Sequence, residues 1–165
     1  MKKLNFISKL AFVALLAFSV TSCQKPTNEP TPEEPGNEQP TKPEEGKPVV
    51  MEDFTVTLTN IHSGDVFLTI EPKDKEMTYW YQLQVTEDMP ETDEEILASD
   101  MSYLQYMADY YGESLTQLLA DNLLKGDIEW RYQYLEPNTE YVLYMYGMNI
   151  NGEALTTVNK LSFKT

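Results

Sequence analysis

The sequence predicts a mainly β domain of antiparallel strands interrupted by an α-helical hairpin and preceded by a signal peptide and a disordered linker. Three observations carry this reading. Apolar residues alternate with a period of two over 54–85 and again over 128–163, the spacing changes to threes and fours between 92 and 125, and 24–50 is rich in proline and glutamate with almost nothing to bury.

The first 22 residues read as a targeting segment. Lys2 and Lys3 form a positive start, and Leu10 to Val20 is an apolar run of secretory length, too short to span a bilayer as a helix. Val20-Thr21-Ser22-Cys23 then resembles the lipobox of bacterial lipoproteins, with Val at position 20 where Leu is commonest. The resemblance implies that Cys23 is the lipid-attachment site and the mature N-terminus. It is the only cysteine of the chain, so it has no intramolecular disulfide partner. Two or three acyl chains anchor a protein far more firmly than one.

Residues 23–50 are the lipidated cysteine and its tether. Seven of the ten prolines fall here, among Glu, Thr, Asn and Lys, and such a composition favours an extended, polyproline II-biased spacer. Gln24 stands where an Asp would signal inner-membrane retention, which implies a lipid anchor in the outer membrane. Gln24-Lys25 also resembles the start of the surface-export signal of Bacteroidota-type lipoproteins, although Pro26-Thr27-Asn28 interrupts it before Glu29.

The remaining 51–165 has the size of one domain with a single core. Phe54, Val56 and Leu58 alternate with threonines. Ser63-Gly64-Asp65 turns the chain, and Val66, Leu68 and Ile70 repeat the alternation up to Pro72. In the third run Met77, Tyr79, Tyr81, Leu83 and Val85 share one face, with Trp80, Gln82 and Gln84 on the other.

Thr92 with Glu95 then forms a capping box. Leu97, Met101, Leu104, Ala108 and Tyr111 follow at helical spacing before Gly112. A second helix is expected from Ser114, with Leu115, Leu118, Leu119 and Leu123 as its stripe and Lys125-Gly126 as its stop. Strands return with Ile128, Trp130, Tyr132 and Tyr134, then Tyr141 to Asn149, an Asn151-Gly152 turn, and Leu155 to Phe163.

Leu135-Glu136-Pro137-Asn138-Thr139-Glu140-Tyr141, with Asn149 and Gly152 beyond it, resembles a segment of the fibronectin type III family. The resemblance implies a fibronectin type III/immunoglobulin-like antiparallel sandwich over 54–86 and 128–165, in which Tyr141 is the tyrosine corner whose hydroxyl bonds to upstream backbone. Leu143 and Met145 would face inward after it. Ile70 stands where that family usually has tryptophan, and 87–127 has no counterpart in it, so the helices are read as an insertion.

Chemistry is sparse. The net charge of −15, with no Lys/Arg-rich patch, argues against a nucleic-acid partner. His62 is the only imidazole and sits at a predicted turn, without the orienting group and nucleophile that a catalytic base requires. No phosphate loop, nucleophile elbow or paired-histidine metal motif occurs, and the acidic run Glu87–Glu95 reads as a solvated helix start rather than a calcium loop. No enzyme activity, metal or cofactor is expected.

The aromatics offer two readings that exclude each other for any one ring. Strand alternation sends Trp80, Tyr144 and Tyr146 outward, where with Tyr103, Tyr106, Tyr110 and Tyr111 of the first helix they would form an interaction platform for protein or sugar. Alternatively the hairpin packs on that sheet face and buries them. The function expected is a membrane-anchored, non-enzymatic binding module of the cell envelope with a protein or glycan partner. A glycan-binding surface protein and an inhibitor or accessory subunit of a secreted enzyme are the alternatives.

Overall fold

The computed structural model describes residues 43–165 apart from Ser63. The expected signal peptide, Cys23 and residues 24–42 of the tether lie outside the described residues.

The chain forms two four-stranded antiparallel sheets and two helices. β1 (Val49–Val50), β2 (Phe54–His62), β3 (Asp65–Pro72) and β6 (Ile128–Gln133) lie side by side in that order in the first sheet. The second has the order β5 (Leu124–Lys125), β4 (Thr78–Val85), β7 (Glu140–Gly147) and β8 (Asn159–Lys164). Between β4 and β5 run a 3-10 turn at Thr86–Asp88, α1 (Asp93–Tyr111) and α2 (Leu115–Asn122). Among the described residues no helix is long and apolar enough to cross a membrane.

The alternation expected from sequence sets the first sheet's inner face. Val56 pairs with Ile70 and Leu58 with Leu68, and all four are buried, while the threonines between them turn outward. Ile128, Trp130 and Tyr132 continue that face opposite Ile70, Leu68 and Val66. Across the core the second sheet contributes Tyr79, Tyr81, Leu143, Met145, Leu161 and Phe163. Phe54 meets Tyr79 edge-on at 5.4 Å between ring centres, and Tyr141 stacks on Phe163 at 5.8 Å.

The boundary expected at 51 falls inside the first sheet. Val49 and Val50 pair with Val56 and Thr55, and Gly46 N–H donates to the Leu58 carbonyl at 2.7 Å. The last residues assigned to the tether are therefore part of the domain, because two valines after Pro48 suffice to pair the exposed edge of β2.

Both helix starts agree with their caps. The Thr92 hydroxyl accepts from Glu95 N–H while the Glu95 carboxylate accepts from Thr92 N–H, and Gly112 closes α1 in the left-handed conformation at φ 69°. Ser114 caps α2 by accepting from Gln117 N–H. That helix ends at Asn122, earlier than the expected Lys125-Gly126 stop, because Leu124 and Lys125 leave it to pair with Tyr79 and Thr78. The buried stripe of α1 is Ile96, Asp100, Leu104 and Ala108, spaced by fours. The expected stripe contained Leu104 and Ala108 but not Ile96 or Asp100.

Candidate interaction surface

The decisive geometry lies on the outer face of the second sheet. Trp80 pairs with Tyr146 across β4 and β7, and Tyr144 follows two residues before Tyr146 on the same face. The three are exposed by 2% or less. Alternation correctly sends these rings to the outer side of the sheet, but the helical hairpin covers that side, so they are not part of an exposed platform. The Tyr144 hydroxyl donates to Asp100 Oδ1 at 2.7 Å and the Tyr146 hydroxyl to Oδ2 at 2.9 Å. One carboxylate on α1 thus holds two neighbouring positions of the central strand β7.

Asp100 is only 4% exposed. Burial raises its pKa to about 6 against the opposing pull of Tyr144, Tyr146 and the nearby Trp80 indole. The indole Nε1 is buried without a hydrogen bond of its own, so its effect on the carboxylate is weaker than that of the phenols. Burial, and then the Asp100 charge, push both phenols far above their ordinary pKa. A carboxyl with a raised pKa in an open cleft is a general-acid candidate. Here both oxygens accept from phenols under a helix, and the group serves as a joint between α1 and the sheet.

The opposite side of α1 faces solvent. Tyr106 and Tyr110 are 62% and 70% exposed, with rings 6.4 Å apart and inclined by 26°. Tyr110 also meets Tyr111 edge-on at 5.2 Å. Tyr103 is half-buried beside them, and its pKa is raised first by burial and then by Tyr111 and Tyr106. Of the residues expected to form a platform, the structure therefore groups Tyr103, Tyr106 and Tyr110 on the helix and separates them from Trp80, Tyr144 and Tyr146 below it. Tyr111, expected both in the apolar stripe and in the platform, lies beside Tyr110 and outside the buried stripe.

Tyr141 belongs to the scaffold. Its hydroxyl accepts from the Glu136 backbone N–H at 2.9 Å, five residues upstream. His62 is exposed at the end of β2, opposite Asp65. Among the described residues no group of three or more His, Cys, Asp or Glu is placed to hold a metal. A shallow polar groove of about 450 Å³ runs between Glu52-Asp53 and Ala154–Thr157. Asp53 is partly engaged there, its Oδ2 accepting from Asn159 Nδ2 at 3.2 Å.

Comparison with known protein families, curated proteins and solved structures finds no match to this chain.

Proposed function

We propose that this protein is a lipid-anchored, non-enzymatic binding module of the bacterial cell envelope, attached through Cys23, in which a fibronectin type III-like sandwich presents an inserted helical hairpin to a partner. The observation that carries the reading is the split character of α1. Its inner face is fastened to the sheet through Asp100, while its outer face displays the stacked pair Tyr106 and Tyr110. Rigid aromatic rings on an anchored helix offer a partner large contact area at small entropic cost.

Support for the sandwich assignment comes from the strand order of the two sheets and from the Tyr141 hydroxyl bond to Glu136. Support for the anchor comes from Val20-Thr21-Ser22-Cys23 at the end of the apolar run. The outer membrane is the proposed site, with the domain held away from the lipid by the proline-rich tether.

Two experiments test the two halves. Cys23→Ser should move the protein from the membrane to the soluble fraction, and continued membrane association would contradict the anchor. Envelope extracts passed over wild-type protein and over the Tyr106→Ser, Tyr110→Ser double variant should differ in a retained partner. Identical retention on both would contradict the binding surface.

A further inference from the structure

The exposed end of α1 combines three features that favour one kind of occupant. The first is aromatic: Tyr106 and Tyr110 are exposed and stacked on each other. The second is charge. Asp109 and Glu113 are exposed beside these rings, and the chain has no Lys, Arg or His between Lys75 and Lys125. The third is the helix itself. Its C-terminal turn carries the negative end of the macrodipole and contains no basic residue to offset it. Among the described residues, the ion pair that reaches α1 sits at the other end, with Lys160 Nζ 2.7 Å from Asp93 Oδ1.

The domain forms the complementary contact elsewhere with its own residues. On the first sheet the Arg131 guanidinium lies 5.0 Å from the centre of the Phe67 ring and donates to Asp65 Oδ2 at 2.7 Å. A ring face and a carboxylate together hold one arginine there. The end of α1 presents the same two partners in the Tyr106 and Tyr110 rings and the carboxylates of Asp109 and Glu113; Asp109 Oδ1 accepts from the neutral Gln105 amide at 2.8 Å, and among the described residues no Lys or Arg is paired with these four.

We infer that the tyrosine surface at the C-terminal end of α1 docks a cationic, arginine-rich segment of a partner protein. The inference rests on the binding-module reading above and names the chemistry of its partner. Charge complementarity selects this occupant over the others. A second copy of the chain would set Asp109 and Glu113 against their own equivalents, and an anionic lipid headgroup would meet the same repulsion. Guanidinium groups gain from both the π faces and the carboxylates, with the affinity falling as salt screens the second contribution.

The test is fluorescence anisotropy with the full chain in detergent, using labelled oligoarginine, oligoglutamate and a set of neutral oligosaccharides as probes. Oligoarginine should bind with an affinity that declines with added salt, and oligoglutamate should not bind. The charge-neutral Tyr106→Ser, Tyr110→Ser pair should weaken oligoarginine binding about tenfold. Glu71→Gln with Glu129→Gln, on the outer face of the first sheet, should change it by less than about twofold. No oligoarginine binding, or an equal loss in both double variants, would overturn the inference, since the second result means diffuse attraction to an acidic protein. A neutral oligosaccharide bound through Tyr106 and Tyr110 in place of oligoarginine, or self-association lost in the tyrosine variant, would overturn the cationic occupant and leave the binding-module reading standing. If the tyrosine pair affects neither these probes nor retention of an envelope partner, both readings fail.

Discussion

The Tyr144 hydroxyl donates to Asp100 Oδ1 at 2.7 Å, joining the centre of the second sheet to α1. With Tyr146 on the other oxygen, this carboxylate is a buried polar link among the buried residues Ile96, Leu104 and Ala108 of the same helix face. Removing it leaves two phenol donors buried without a partner. Asp100→Ala should therefore destabilise the domain by about 2–4 kcal/mol in urea unfolding, with each unsatisfied donor contributing about 1–3 kcal/mol. A loss below about 0.5 kcal/mol would mean that the joint contributes little.

The raised pKa of Asp100 has a definite consequence for pH dependence. Its carboxyl titrates near 6 in the folded chain against an ordinary value of 3.8, so the folded state binds the proton more tightly. Its contribution to stability is most favourable below about pH 4, declines between about 4 and 6, and is constant above. Comparison with Asp100→Asn isolates this from the many other carboxylates. The stability of wild type relative to that variant should fall by on the order of 3 kcal/mol from pH 4 to pH 7. A difference that is flat or rises with pH would contradict the burial of the charge.

Tyr141→Phe keeps the ring that stacks on Phe163 and deletes the oxygen that accepts from Glu136 N–H. The expected loss is about 1 kcal/mol, measured by chemical denaturation, because the amide is only part-buried and water replaces some of the bond. An unchanged midpoint would show that the hydroxyl does not brace the connection from β6 to β7.

On the exposed side the expectation reverses. Tyr106→Ser with Tyr110→Ser should alter unfolding stability by no more than about 1 kcal/mol, since these rings touch each other and solvent rather than the core. Loss of several kcal/mol would mean that they pack against the fold.

Much of the architecture is legible in the residues. Phe54, Val56 and Leu58 against Val66, Leu68 and Ile70 specify a hairpin with one buried face, and Thr92, Glu95 and Gly112 bracket α1. Alternation reports which residues share a face. It does not report whether a second layer covers that face, and this is why Trp80, Tyr144 and Tyr146 could be read either way. The run Tyr141-Val142-Leu143-Tyr144-Met145-Tyr146 contains the answer, since a strand without a charged or amide side chain over six residues is buried on both sides. Asp100 was hidden by its residue type. Its position, four residues from both Ile96 and Leu104, places it in the apolar stripe, and only the phenols of a distant strand make that burial tolerable. The pairing of Val49 and Val50 was obscured by the proline-rich composition before them.

The division of the aromatics into those under the helix and those upon it can be measured directly by tetranitromethane nitration of the folded protein, with each tyrosine followed by mass spectrometry. Tyr106, Tyr110 and the 83%-exposed Tyr134 should be modified early, while Tyr144 and Tyr146 stay protected until the domain unfolds. Nitration of Tyr144 or Tyr146 at the rate of Tyr106 would show that the hairpin does not cover the second sheet.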